Sequence, residues 1–272
     1  MTEKEYRNHP AISRSELWRI NESPEKFLWY KQHPPEQTDA LLFGSLVHKL
    51  LLQAEDFFFE YAVVPNGSDR RTKEGKAAYE QFVANSQGKT IVTHRMLDPA
   101  LDMSGAALRN RTVQALLDCA ETEKVFFWTD EDTGEECKCR VDALTEIDGN
   151  PVILDYKTTR NAATEVFNQE IFRYGYHFQA AFYSEGVMQS LGLTERPEFI
   201  FIAQEKYEPY AINIIKVSPE VMLAGVDKMR ELLGIYHECQ MTGVWYGYNG
   251  FMEEPNETTL PGWMQLGVEE ED

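Results

Sequence analysis

"VILDYKTT", residues 152–159, is a β-prone run that carries an aspartate and a lysine two positions apart. Residues i and i+2 of a strand project from the same face, so Asp155 and Lys157 point one way while Leu154 and Tyr156 point the other. Alone, such a pair reads as an ion pair on a solvent-facing edge strand, where it is worth little. It has company, however. "KVFFWTD" (124–130) and "EECKCRVDALTEI" (135–147) alternate in polarity around a hairpin signal, "EDTG", and "DGNP" turns the chain into residues 152–159. The pattern predicts an antiparallel three-strand meander in which Asp142 comes close to Asp155. Two carboxylates that close resist joint ionisation unless a cation compensates them. Hard divalent ions that take oxygen ligands, Mg²⁺ or Mn²⁺, are the natural compensation. An ammonium beside them can orient or help deprotonate a water and offset charge developing on a phosphate.

Outward from the meander, the N-terminal part reads as helical. "SRSELWRI" (13–20) opens with Ser13 or Ser15 as a helix cap, and Ser23 caps a second helix with Pro24 at its first position. A third helix, about 39–53, carries Leu42, Leu46 and Leu50 on one stripe with Gly44 and His48 beside it. "YAVVP" (61–65) is a short strand candidate. A polar loop with Arg70, Arg71, Lys73 and Lys76 runs into a further helix, and another helical stretch covers about 97–120. Beyond the meander, residues 168–192 read as one long helix ended by Gly192, with Ile171, Tyr174, Phe178, Phe182 and Met188 near one stripe. Strands at 198–205 and 210–217 precede a capped helix, 218–240. This order predicts a mixed α/β core with an N-terminal helical elaboration in one domain over 1–272. Residues 1–120 would be mainly helical, 121–241 the core and 242–272 a C-terminal tail.

The bulk composition narrows the class. The chain has 272 residues, 43% hydrophobic, and its longest apolar runs are only a few residues. Nothing reaches the roughly 20 apolar residues that span a bilayer, and the start has no signal-peptide core, so a cytoplasmic protein without a membrane partner is expected. The four cysteines lack CxxC spacing and read as reduced thiols, with Cys137 and Cys139 filling one face of a sheet. A net charge of −19 argues against a nucleic-acid coat or an anionic-membrane binder. It leaves room for an enzyme acting on DNA, whose metal site needs carboxylates. The closing "GVEEED" reads as a solvated acidic tail.

Asp142 followed by Asp155-Tyr156-Lys157 resembles the D…(D/E)xK core of the PD-(D/E)XK nuclease superfamily, which implies a restriction-endonuclease-like fold with a mixed central sheet flanked by helices. "GSLVHKL" (44–50) resembles the G-x-x-x-H helix of the RecB-like and RecE-like branches. "HFQAAFY" (177–183) resembles their Q-x-x-x-Y helix, and "SRSELWRI" their S-x-S-x-L helix. Either Glu123 or Glu121 matches the extra helix carboxylate, with Glu123 placed just before the first strand. The resemblance covers about residues 13–216. "DRRTKEGKAAYEQF" (69–82) and "WTDEDTGEECKCRVDAL" (128–144) look like segments of the RecE-like exonucleases of phage recombination systems. Val141 replaces the proline of the motif and leaves the carboxylate in place. Iron–sulfur members of the RecB-like branch need a cysteine near the opening helix. Here none precedes Cys119, so no iron–sulfur cluster is expected.

The resemblance implies a Mg²⁺- or Mn²⁺-dependent exodeoxyribonuclease that degrades one strand of duplex DNA from an end, 5′ to 3′. Asp142, Asp155 and the Tyr156 carbonyl would hold metal, with His48 and Glu123 completing the site. Lys157 would handle the water, and Gln179 and Tyr183 would position the strand or Lys157. A homo-oligomeric ring, such as a tetramer, and a RecT-like single-strand annealing partner are implied in the same way. A protein this acidic must gather positive charge where phosphates pass. The candidates are Arg70, Arg71, Lys73 and Lys76, assisted by Arg140 and Arg160. Three other readings compete. A RecB-like single-strand or flap nuclease is disfavoured by the missing cysteines. The intact aspartates, lysine and histidine speak against a nuclease-fold DNA-binding scaffold without cleavage activity. The acidic balance supports a protein with no nucleic-acid role and a structural charged strand.

Overall fold

The polarity alternation over residues 121–159 produces three antiparallel strands in the computed structural model, which describes residues 1, 3–66, 71–250 and 255–259. Ahead of them run α1 (Glu3–Asn8), β1 (Ile12–Ser13), α2 (Arg14–Ile20), α3 (Pro24–Gln32), α4 (Asp39–Leu52), α5 (Phe57–Glu60) and β2 (Tyr61–Val63). Then come α6 (Lys73–Asn85), β3 (Thr90–Val92), α7 (His94–Arg109) and α8 (Arg111–Leu117). The meander is β4 (Glu121–Thr129), β5 (Glu136–Ile147) and β6 (Asn150–Thr159). It leads to α9 (Thr164–Arg173), α10 (Tyr176–Leu191), β7 (Glu198–Glu205), β8 (Ile212–Lys216) and α11 (Pro219–Thr242).

The start signals predicted at Ser13 or Ser15 and at Ser23 act as expected, and Thr38 supplies one that was not anticipated. The Glu16 carboxylate accepts from the Ser13 N–H and hydroxyl, so Ser13 rather than Ser15 opens α2. Ser23 accepts from the Lys26 N–H and Thr38 from the Leu41 N–H, fixing the starts of α3 and α4. Two long helices expected from periodicity are each broken in two. At 168–192 the break is Gly175, whose φ of 67° is left-handed and which lies against the Trp18 ring. The Arg14 guanidinium locks the turn by donating to the carbonyls of Tyr174 at 2.5 Å and Gly175 at 2.7 Å. The expected stripe is broken with it: Ile171, Phe178 and Phe182 are buried, but Tyr174 is 43% exposed and Met188 only half-buried. At 97–120 the break is Asn110, whose Oδ1 accepts from the N–H groups of Thr112 and Val113 and so begins α8. The two-residue β1 and three-residue β3 are too short to show alternation, and β3 pairs with the anticipated β2.

The main sheet has the order β1-β5-β6-β7-β8, with β4 on the other edge of β5. β4/β5, β5/β6 and β7/β8 are antiparallel, while β6/β7 and β1/β5 are parallel. β6 is therefore an internal strand, which overturns the reading of Asp155 and Lys157 as a solvent-facing edge pair. β5 pairs with β6 only through residues 143–147, and its earlier residues Cys137 and Lys138 pair with β1 instead. From Asp142 towards its start, β5 parts from β6, which continues along β7 to Thr159. The sheet thus forks at the two aspartates.

Helices cover both faces. On one, α2, α3 and α9–α11 enclose a core with Phe167, Phe178, Phe182, Phe199 and Phe201. Cys137 and Cys139 are fully buried there, as their alternation predicted. On the other, α4 and α7 pack Leu46, Val47 and Met103 over Val152, Leu154 and Ile202. Gly225 lets α11 lie on α10: a Cβ there would come within 2.1 Å of the His177 carbonyl oxygen. Among the described residues, no helix is long and apolar enough to cross a membrane.

Gly175→Ala tests the helix break. A Cβ at Gly175 would fall 2.6 Å from the Trp18 ring, whereas Gly192, with a similar φ of 65°, has open space around it. Gly192→Ala is expected to cost about 1 kcal/mol of strain and Gly175→Ala about 3 kcal/mol, because the clash adds to the strain. Denaturant midpoints measure both, and equal losses would contradict this packing.

Candidate active site

At the fork, Asp142 Oδ2 accepts the Tyr156 N–H at 2.8 Å, satisfying a backbone group that no longer meets β5. The Tyr156 side chain turns to the opposite face, where its hydroxyl donates to buried Gln204 at 2.5 Å. His48 arrives from α4, which is anchored by buried Leu46, Val47, Leu50 and Leu51. Its Nε2 lies 3.1 Å from Asp142 Oδ2 and its Nδ1 3.5 Å from Glu123 Oε1. The other Glu123 oxygen holds Arg140 Nε at 2.7 Å. Glu123 was expected just ahead of the first strand, as a helix carboxylate. It lies instead inside β4, between the pairs Thr122↔Ala143 and Lys124↔Val141, with a φ of 54°. A left-handed non-glycine residue in a strand is strained, and here it turns the carboxylate towards His48. Glu121 is exposed and pairs with Lys124 at 2.9 Å, away from His48.

Asp155 is fully buried. One of its oxygens accepts from the Gln179 amide, and the other faces the Lys157 ammonium. The i, i+2 arrangement on β6 thus brings acid and base into direct contact. Gln179 is buried and Tyr183, one turn later on α10, packs against the first core, so neither is a surface residue. Lys157 Nζ also lies 4.9 Å from the Tyr176 ring centroid. Arg14 was read only as part of a helix opening. Its guanidinium in fact sits over the Trp18 and Phe178 rings, close enough for Asp155 to act on its charge. The only sequence signal for it is its place inside the S-x-S-x-L match.

Burial and charge set the protonation states. Burial pushes the Asp155 carboxyl up, to about 6, with repulsion from Asp142 adding and Lys157 opposing. Burial also works against Asp142, but His48, Lys157 and the Tyr156 N–H outweigh it and hold that carboxyl below its ordinary range. Burial raises Glu123 against the pull of His48 and Arg140. For His48 and Lys157 burial is overcome by the neighbouring carboxylates, and both are held above their ordinary values.

These groups open onto a cleft of about 1520 Å³ whose lining includes His48, Glu123, Asp142, Tyr156, Lys157, Arg140 and Arg160. One ligand atom each from His48, Glu123 and Asp142 lie within 4.8 Å of one another, a mixed imidazole and carboxylate set that fits Mg²⁺ or Mn²⁺. Asp155 is not in that group; its oxygens engage Gln179 and Lys157. Of the basic residues read from the sequence, Arg140 and Arg160 line the cleft. Arg70 lies outside the described residues, and Arg71, Lys73 and Lys76 are exposed near the start of α6, away from the cleft lining.

The raised groups carry a sign for stability. Folded Asp155 and His48 hold protons that the unfolded chain releases, so both contribute stability that grows as pH falls and is lost as pH rises. Asp142, held low, loses its contribution only in strong acid. Without metal, the melting temperature should therefore rise between about pH 7.5 and 5.5, and rise less in Asp155→Asn and in His48→Gln. Parallel profiles for all three proteins would show that these groups do not titrate as described.

No curated protein matches this chain. Among solved structures, a protein of Eubacterium rectale described as "Putative exonuclease" aligns over 98% of both chains with a TM-score of 0.63 and 16% identity. At that identity the likeness is one of fold. Another, SSO0001, covers 70% of this chain and 84% of its own at 15% identity, and its TM-score of 0.31 carries no argument. Residues 13–256 match the family described as "PDDEXK-like domain of unknown function (DUF3799)". The match takes in α4, the forked sheet and α10, so the chain belongs to the PDDEXK-like family.

Proposed function

We propose that the chain is a divalent-metal-dependent exodeoxyribonuclease that shortens one strand of linear duplex DNA and leaves single-stranded tails for recombination by strand annealing. The observation that carries this reading is the fork itself. It sets a buried Asp155–Lys157 pair beside an ionised Asp142 that His48 and Glu123 approach, all at one cleft. His48, Glu123 and Asp142 would hold the ion, whose chemistry when bound is to neutralise phosphate charge and acidify water. Lys157, kept protonated by Asp155, donates to the attacking water or to a phosphate oxygen. Gln179 fixes the rotamer of Asp155, and Arg140 fixes that of Glu123. The 5′-to-3′ direction, a ring of copies around the DNA and a RecT-like annealing partner rest on the resemblance to the RecE-like exonucleases.

End-labelled linear duplex incubated with Mg²⁺ or Mn²⁺ tests the reading. Label should be released from one strand, and Asp155→Ala and Lys157→Ala should each slow release at least about a hundredfold. Calorimetry supplies a second readout, with Mn²⁺ binding weakened in His48→Ala and in Asp142→Asn while the proteins still melt cooperatively. Activity that survives either substitution on β6 would remove those residues from the chemistry, and Mn²⁺ binding indifferent to both other substitutions would remove the ion from this place.

A further inference from the structure

We infer that the end of the cleft beyond Lys157 is a subsite for an unpaired DNA strand, with Arg160, Arg173 and Lys206 taking phosphates and Tyr174 offering a ring face to a base. The inference rests on the nuclease reading and adds to it the route of the strand away from the carboxylates.

Three elements end together there. The Lys206 N–H donates to the Thr159 carbonyl at 3.0 Å, continuing the parallel register in which Thr159 opposes Glu205, so Arg160 and Lys206 leave β6 and β7 side by side. The Thr159 hydroxyl donates to the Glu170 carboxylate at 3.0 Å, which brings in the last turn of α9 and, three residues on, Arg173. Arg160, Arg173, Tyr174 and Lys206 all line the cleft. Ring contacts connect this end to the carboxylates. Lys157 lies over Tyr176, the Tyr176 and Tyr174 centroids are 5.7 Å apart, and the Arg173 guanidinium is 5.5 Å from the Tyr174 ring.

Charge says what belongs there. Elsewhere in the cleft three cations are already neutralised: Lys49 by Glu60 at 2.7 Å, Arg140 by Glu123 at 2.7 Å, Lys157 by Asp155. Among the described residues, Arg160, Arg173 and Lys206 have no carboxylate oxygen within 4.0 Å. In a chain of −19, three cations with no direct carboxylate partner, outnumbering Glu170 at the same end of the cleft, mark the place for an external polyanion. The exposed ring among them favours an unpaired strand over a duplex, because a base presents its face only when it is unstacked.

The test is fluorescence anisotropy with dye-labelled oligothymidylate and with a duplex of equal length, in calcium buffer, using the full chain. The Arg173→Ser/Lys206→Ser variant should bind oligothymidylate about tenfold more weakly, with a salt dependence shallower by about 1.4 in the log–log slope. Tyr174→Leu should weaken oligothymidylate about fivefold and leave the duplex nearly unchanged. A charge-matched Lys216→Ser/Lys228→Ser variant, outside the cleft lining, should stay within about twofold of wild type. Wild-type affinity in the Arg173/Lys206 variant, or an equal loss in the charge-matched one, overturns the subsite, and a Tyr174 effect shared by the duplex overturns its assignment to an unpaired strand. If the wild-type protein cleaves DNA while these variants bind normally, the subsite alone fails. If it neither binds nor cleaves DNA, the nuclease reading fails with it.

Discussion

A side-chain carboxylate standing in for a ladder acceptor is the interaction on which the rest depends. When β5 leaves β6, the Tyr156 N–H would be stranded inside the protein, a loss comparable to a missing hydrogen bond. Asp142 Oδ2 takes that bond, and so the sheet can fork without an orphaned donor. The fork creates the cleft, exposes one edge of β6 and delivers Asp142 next to Asp155. Structure and site share this one contact.

Such a site works against stability. Two carboxylates are held beside each other in a place where burial alone already disfavours their charge. Glu123 adds backbone strain in order to face His48. His48, Lys157 and Arg140 each offset part of this electrostatic cost, and the two aromatic-rich cores on either face of the sheet supply the burial that sustains it. Poorly compensated groups gathered in one place are what a functional cleft looks like in energetic terms. In a chain of net charge −19 the cleft lining still gathers Lys49, Arg140, Lys157, Arg160, Arg173 and Lys206.

Much of this was legible from local patterns. Period-two alternation identified the meander and put Asp155 and Lys157 on one face, and helical spacing placed His48 on α4 and Gln179 with Tyr183 one turn apart. Each of those inferences depends only on residues a few positions from one another. The break at Gly175 was missed because the helical periodicity runs through it, and what stops the helix is Arg14 and Trp18, far earlier in the chain. Glu123 was misplaced for a similar reason, since its left-handed backbone has meaning only opposite Asp142 on the neighbouring strand.

The amino-acid order by itself determined the strand and helix periods, the capped starts of α2, α3 and α11, and the pairing of acid with base on one β face, because these follow from backbone geometry and from nearest neighbours. Only the tertiary structure decided that β6 is internal, that β5 forks from it at Asp142, and that Arg173 and Lys206 arrive beside Arg160. Those facts depend on the parallel β6/β7 register and on helices returning from distant parts of the chain, and no short-range pattern encodes which segment will come to lie against which.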